Sequence, residues 1–311
     1  MIYEKDGKGF CPYKDLNKQP LVVGLAGGDE RELILMRGLL DAGLAVRSFA
    51  QPAELLPEGA VFCETLRQAI CGADALVLPM PGVKNDGSIY SAYGFKSLLK
   101  EKDISLLKAG APVLVGIASS YLQGLSEKLG LRLLAMADRD EVAVPNAIPT
   151  AEGAIAVAME QSREVLFGKK ALLLGFGRVS EALAPRLRAF GMEVVIANRG
   201  LQRRQKAREA GFFTAEWEDW PQLGREADFI FNTVPALLLS AAVLLNLSKH
   251  TIIIDLAANP GGTDFGAAAS LGLRAVLASG LPGRVAPVTA GKTLAAVYPP
   301  LIISMCHKRE G

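Results

Sequence analysis

KKALLLGFGRVSEALAPRLRAFGMEVVIANRG, residues 169–200, decides the fold. An apolar run, Ala171 to Leu174, stops at Gly175-Phe176-Gly177. A helical pattern follows, Gly191 closes it, and a second apolar run, Val194 to Ile196, leads into Asn198-Arg199. Strand, glycine turn, helix and parallel strand make the unit that binds a dinucleotide. Gly175 permits the tight turn and Gly177 lets the backbone approach a pyrophosphate. The first helical residues, Arg178 and Val179, then turn unpaired N–H groups toward the negative charge.

The chain has 311 residues, enough for about two domains. Half of its residues are hydrophobic and 6% aromatic, which predicts an aliphatic, small-residue core of the α/β type. A formal charge of +2 gives no electrostatic footprint for nucleic acid. No apolar run approaches the length of a membrane span and MIYEKDGKGF is not a signal peptide, so a cytoplasmic protein is expected. Cys11, Cys63, Cys71 and Cys306 have no metal-ligand spacing and read as reduced thiols.

Downstream of the opening stretch, Asp228–Asn232, Thr251–Asp255 and Leu273–Leu277 read as the fourth, fifth and sixth strands of the same sheet. Their exits are Asn232-Thr-Val-Pro235, Leu256-Ala-Ala-Asn-Pro-Gly-Gly-Thr-Asp264 and Gly280-Leu-Pro-Gly-Arg284. Ligands of such sheets bind at the carboxyl ends of the strands. Thr233, Val234, Pro235, Leu256 and Ala257 are therefore expected to face the cofactor, with Gly175, Gly177, Arg178 and Val179. NAD-binding folds place Asp or Glu at the end of the second strand to hold the ribose 2′-OH. Here that position is Asn198-Arg199, with Arg203 and Arg204 close behind. A guanidinium binds a 2′-phosphate bidentately where a carboxylate would repel it. Asn198, Arg199 and Arg203 thus predict NADP, with NAD as the alternative. Lys206, Arg208 and Arg204 read as a solvated helix face.

Upstream, Leu21–Leu25, Leu44–Phe49, Ala75–Leu78, Pro112–Gly116 and Leu131–Leu134 read as strands, with a helix at Ser120–Leu129. Asp29 and Glu32 form a capping pair at the start of the first helix. Gly27-Gly28 lacks the full glycine spacing and reads as a tight turn rather than a phosphate site. A helix is expected over Ala151–Leu166, and another over Val288–Tyr298 that Pro299-Pro300 breaks. The expected architecture is α/β, two doubly wound parallel-sheet domains joined by interdomain helices. Residues 1–20 form an N-terminal extension. Residues 21–148, with the C-terminal helix 288–311, form a flavodoxin-like substrate-side domain, and residues 149–287 the NADP-binding Rossmann domain.

His250 and His307 both fall away from strand exits, which disfavours a histidine acid–base and leaves no metal site. The proton then falls to a carboxylate, lysine, tyrosine or water.

Asp138-Arg-Asp-Glu141, Pro145-Asn-Ala-Ile-Pro-Thr-Ala-Glu-Gly153, Asn232-Thr-Val-Pro235, Asp255 through Phe265 and Gly280 through Gly291 together resemble the family of dipicolinate synthase A subunits, over about Leu21 to Leu301. The resemblance implies an NAD(P)-linked oxidation that aromatises dihydrodipicolinate to dipicolinate in the mother cell of a sporulating bacterium. It also implies a partner, a flavoprotein-like B subunit. A homo-oligomer is expected, without nucleic-acid or membrane partners. A small dicarboxylate substrate needs cationic and N–H donors. Arg31 and Arg139 are the candidates, with Ser119, Ser120 and Asn146 nearby and Asp140 as proton acceptor. The third glycine of the family's turn is Ser180 here, expected to push the helix off the strand, and Pro185 is expected to kink it. Asn198-Arg199 and Pro282-Gly283 are also similar to shikimate and methylene-tetrahydrofolate dehydrogenases. A non-catalytic, nucleotide-sensing partner protein is a third reading.

Overall fold

The computed structural model describes residues 20–307. The expected N-terminal extension, apart from Pro20, and the last four residues lie outside them. The chain divides into two units, residues 1–142 with 287–311, and residues 143–286.

The first unit holds strands β1 (Val22–Ala26), β2 (Ala45–Phe49), β3 (Val61–Cys63), β4 (Ala75–Val77), β5 (Pro112–Val115) and β6 (Arg132–Ala135), all parallel, in the order 3-2-1-4-5-6. Without β3 the order would be the flavodoxin-like one expected from the sequence. Val61-Phe62-Cys63 extends the sheet by one edge strand and corrects that expectation. It escaped the sequence reading because it is three residues long and both Val61 and Phe62 are exposed, so no buried run or alternation marks it.

The second unit holds β7 (Lys170–Leu174), β8 (Glu193–Ala197), β9 (Phe213–Ala215), β10 (Phe229–Asn232), β11 (Ile252–Asp255) and β12 (Arg274–Leu277). They are parallel in the order 12-11-10-7-8-9, the dinucleotide-binding arrangement seen from its other edge. The register aligns Leu174, Asn232, Asp255 and Leu277 at the carboxyl edge. The apolar run of β7 is buried on both faces of the sheet. Leu172 and Leu174 meet one core layer, Ala171 and Leu173 the other.

Two helices depart from the expectations. The helix Asp140–Ser162 starts eleven residues earlier than the expected Ala151 and runs through Pro145 and Pro149. The two prolines are four apart and so lose their N–H bonds on one side of the helix. Ala151, Ala154, Ile155 and Ala158 hold it in the core of the second unit. With 23 residues it is long and apolar enough by length and composition to cross a membrane, unlike any run expected from the sequence. Half of its apolar window is buried inside the fold. The last helix, Pro287–His307, likewise continues through Pro299-Pro300. Leu294, Tyr298, Ile302 and Cys306 follow one face into the core of the first unit, and that burial offsets the missing N–H bonds. It packs on the helix Glu30–Asp41 closely enough that Gly38 touches Ala295 and Gly291 touches Ile34. Pro185 lies inside the helix Arg178–Ala189, as the sequence places it.

Candidate functional site

At the exit of β7, Gly175 has φ +93°, a conformation that needs glycine. A Cβ there would meet Thr233 Oγ1 and Val234 Cγ2, so the turn lies directly on the exit of β10. Gly177 stands at the N-cap of the helix Arg178–Ala189 and has no side chain of its own to cap it. The positive end of a helix dipole favours an anion. A Cβ on Gly177 would stand 3.1 Å from Arg203 Nη1, which donates to Phe176 O at 3.0 Å. Arg203 therefore braces the glycine turn. It also lines a cleft of about 560 Å³ with Asn198, Gly200, Leu201 and Gln202.

The Ser180 side chain is fully buried and its hydroxyl lies 3.2 Å from Thr233 Oγ1. Thr233 spends its own proton on Leu174 O at 2.9 Å, so Ser180 donates. One hydroxyl chain thus joins the helix start to the exits of β10 and β7.

Asn198 is buried and donates to Gly200 O, while the exposed Arg199 lies with its guanidinium 5.4 Å from the ring centre of Trp217. Arg204 departs from the solvated face expected of it. It is 8% exposed, and its Nη1 donates to Asn198 O at 2.8 Å and Arg199 O at 3.0 Å. At the exit of β11, the buried Asp255 accepts from Asn232 Nδ2, Ala257 N, Gly262 N and Thr263 Oγ1. Asp255 therefore takes the Ala257 N–H, and Leu256 N donates to Asn232 O at 2.7 Å. Both backbone N–H groups are thus taken up within the fold. Pro235 is exposed.

The cofactor residues named from sequence thus gather at one carboxyl edge, on β7, β8, β10 and β11. A glycine turn at the start of a helix and an adjoining cleft lined without a carboxylate fit a dinucleotide phosphate.

In the first unit the corresponding crevice, between β1 and β4, is filled by the chain itself. Gly28 N donates to Tyr90 O and Ala92 N to Gly28 O, and a Cβ on Gly27 would strike Tyr90 O. The helix Glu30–Asp41 ends on carboxylates: Asp29 Oδ1 accepts from Arg31 N, and Glu32 Oε2 from Asp29 N. No phosphate fits there.

Arg31 lies in this cluster, 6% exposed, with Nε and Nη2 both on the Asp29 carboxylate at 2.9 and 2.7 Å. Burial works against the ionised Asp29, but Arg31 outweighs it and holds the carboxyl below its usual range. Glu32 is fully buried and also accepts from Met80 N at 2.9 Å. Burial, reinforced by Asp29 and opposed by Arg31, pushes it up to about 7. Tyr298 lies near, its hydroxyl 3.5 Å from Met80 Sδ, pushed up by burial and by Glu32.

The other expected substrate residues serve local structure or lie apart. Ser119 caps the helix Ser120–Leu129, and Ser120 donates to Asn85 Oδ1 at 2.9 Å, so both hydroxyls are taken up locally. Arg139 pairs with Glu141 at 2.8 Å and its Nε is buried without a hydrogen bond. Asp140 is the exposed first residue of its helix. Asn146 lies inside that helix rather than at a strand exit, its carbonyl accepting from Thr150 Oγ1. Among the described residues Arg31, Ser119, Ser120 and Arg139 share no hydrogen bond. His250 precedes β11, at the opposite end from the strand exits, and His307 ends the last helix.

Comparison with known proteins agrees with this geometry. Residues 22–137 match the N-terminal domain of the dipicolinate synthase A subunit. Residues 150–259 match the NAD-binding domain of D-isomer-specific 2-hydroxyacid dehydrogenases, which makes the second unit a nicotinamide-dinucleotide domain of the dehydrogenase type. The dipicolinate synthase A subunit of Bacillus subtilis (strain 168) is 30% identical over 285 residues, 91% of this chain and 96% of that protein. The crystal structure of the dipicolinate synthase A subunit from Bacillus halodurans superposes with a TM-score of 0.85 at 32% identity, covering 91% of this chain and 97% of that one. A transhydrogenase from Sinorhizobium meliloti, 17% identical with a TM-score of 0.62 over 91% of this chain and 92% of that one, shares the fold alone. A glycine turn on a six-stranded parallel sheet, and a first unit whose own chain fills the matching crevice, are here joined to relatives matched along nearly their whole length: the chain belongs to the family of dipicolinate synthase A subunits.

Proposed function

We propose that the chain is an NADP-linked oxidoreductase subunit that oxidises and aromatises dihydrodipicolinate to dipicolinate during sporulation. The exit of β8 carries the cofactor part of this reading: Asn198-Arg199 stands where a ribose-binding carboxylate would, beside the glycine turn and the helix it starts. A nicotinamide held here would supply the hydride acceptor, so that one dihydropyridine and one NADP⁺ would give the pyridine, NADPH and one proton, with aromatisation as the driving force.

The chain supplies binding, orientation and a proton path. Gly175 and Gly177 admit the pyrophosphate, and the N–H groups of Arg178 and Val179 face it. Arg199 takes the 2′-phosphate and Arg203 keeps the glycine turn in shape. Thr233, Val234, Pro235, Leu256 and Ala257 shape the wall for the nicotinamide. Arg31 and Arg139 receive the substrate carboxylates. Each already holds a carboxylate, Asp29 and Glu141, so a substrate anion replaces like with like. Ser119, whose hydroxyl accepts from Leu122 N and keeps its proton, and Asn146 add hydrogen bonds. Ser120 adds an acceptor only, its proton being on Asn85, and the exposed Asp140 accepts the proton. The reading includes a flavoprotein-like B subunit, self-association, and the mother-cell cytoplasm as its compartment.

The purified chain incubated with NADP⁺ and freshly generated dihydrodipicolinate, with and without the B subunit, should form NADPH and dipicolinate in equal amounts. No NADPH in either mixture would remove this reading. Arg199→Asp should weaken NADP⁺ more than NAD⁺; equal losses would remove the 2′-phosphate assignment.

A further inference from the structure

We infer that Arg204, Glu216 and Trp217, which lie outside the glycine turn, position Arg199 and thereby set the preference for a 2′-phosphorylated dinucleotide. The inference rests on the cofactor reading above.

The backbone comes first. After β8 the chain passes through Asn198-Arg199-Gly200 into the helix Leu201–Glu209, whose start has no side-chain cap. Nothing in that loop's own sequence holds two successive carbonyls in place. Arg204, one turn into the helix, does so from below through Nη1, at 2.8 Å to Asn198 O and 3.0 Å to Arg199 O. Its Nη2 reaches Glu216 Oε2 at 2.5 Å, on the first residue after β9. A buried guanidinium is costly unless it is paired and hydrogen-bonded, and here the pairing spans two strand exits. Lysine cannot replace it, because one ammonium on a flexible stem lacks the planar fork that meets carbonyls and carboxylate together.

The side chain comes second. Trp217 follows Glu216 directly, and its ring lies 5.4 Å from the Arg199 guanidinium carbon. Contact with an indole face restrains the guanidinium without using its N–H donors, which stay available for a phosphate. The exit of β9 therefore holds the Arg199 backbone through Glu216 and Arg204, and its side chain through Trp217. Arg199 lies in the chain between Asn198 and Gly200, both of which line the cleft with Arg203, so the proposal places the restrained cation within reach of a ribose phosphate held there. An unrestrained surface arginine loses side-chain entropy on binding an anion; one already held loses less.

The chain has two tryptophans, Trp217 and Trp220, with ring centres 6.3 Å apart, so intrinsic fluorescence reports on this corner. NADP⁺ and NAD⁺ would be titrated separately into the full-length chain and into Arg204→Lys, Trp217→Leu, Trp217→Phe and Arg199→Ala, with thermal unfolding followed in parallel. Trp220 remains as the probe in the Trp217 variants. The wild type should bind NADP⁺ about ten-fold or more tighter than NAD⁺. Arg204→Lys and Trp217→Leu should each weaken NADP⁺ by about ten-fold, leave NAD⁺ unchanged, and so erase the preference. Trp217→Phe should keep most of it. If Arg199→Ala erases the preference while Trp217→Leu keeps it, the cofactor reading stands and the positioning role is overturned, whatever Arg204→Lys does to folding. A wild type that prefers NAD⁺ overturns both.

Discussion

Asn232 Nδ2 donates to Asp255 Oδ1 at 3.1 Å, with both side chains wholly buried at the aligned ends of β10 and β11. The Asp255 carboxylate is also the acceptor that shapes the loop behind it, through Ala257 N, Gly262 N and Thr263 Oγ1. Asp255→Asn keeps the volume but turns an NH₂ group toward donors that need an acceptor. Each buried donor left unsatisfied costs about 1–3 kcal/mol. Asp255→Asn should therefore lower the stability seen in urea unfolding by about 2–3 kcal/mol, and Asp255→Ala by more. An Asp255→Asn variant with the wild-type urea midpoint would mean that the loop holds its shape without these bonds.

Ser180 gives the second prediction. The glycine expected at its position would remove the bond to Thr233 and add the helix penalty of glycine, about 1 kcal/mol each. Ser180→Gly should thus destabilise the second unit by about 2 kcal/mol while changing dinucleotide affinity little. Urea unfolding and a cofactor titration measure the two effects. A tightening of dinucleotide binding by about ten-fold would show that the serine does hold the helix off the strand.

The parts that were legible in the sequence are those whose signals are local. The apolar run into Gly175-Phe-Gly177 marks β7 and its turn, the spacing of Asp29 and Glu32 marks a capping box, and Ser120–Leu129 is a helix with the expected bounds. What escaped depends on partners far along the chain. Arg204 sits in a run of charges that reads as a solvated face, and its burial comes from Glu216 and from carbonyls behind it. Glu32 reads as a cap, yet its second bond goes to Met80, 48 residues away. Pro299-Pro300 read as a break, and Pro145 and Pro149 fall before the expected helix start at Ala151, whereas core packing carries both helices through them. The substrate residues are the least legible, because a strand exit predicts the edge a residue occupies and not which neighbour takes its donors.

Gly38 tests the packing of the last helix in the first unit. A Cβ there would lie 2.6 Å from Ala295 Cβ and 3.0 Å from Ala295 Cα, so the helices must separate to admit a methyl group. Alanine is the better helix former by about 1 kcal/mol, but overpacking a tight crossing costs about 1–3 kcal/mol. Gly38→Ala should therefore lower the melting temperature slightly, and Gly38→Leu should lower it severely. A rise in melting temperature for Gly38→Ala would show that the crossing has slack.

Glu32 makes a prediction with a sign. Its native carboxyl is pushed up to about 7 from an ordinary 4.5, chiefly by burial. The folded chain then holds this proton more tightly than the unfolded chain does. The resulting stabilisation is complete below about pH 4.5 and is lost as the pH rises through about 7. A shift of this size corresponds to a change on the order of 3 kcal/mol across that window. Glu32→Gln cannot titrate there, and its amide can accept only one of the two N–H groups of Asp29 and Met80 without turning NH₂ toward the other. Groups far from Glu32 cancel in the difference between the two proteins, and Asp29, held low, and Arg31 and Tyr298, held high, titrate outside this window. The stability gap between wild type and Glu32→Gln, measured by urea unfolding, should be widest near about pH 5 and narrow by about pH 8. A gap that stays constant between those two conditions would mean that Glu32 ionises in the fold as it does in water, and that its two backbone N–H bonds and Arg31 cancel the effect of burial.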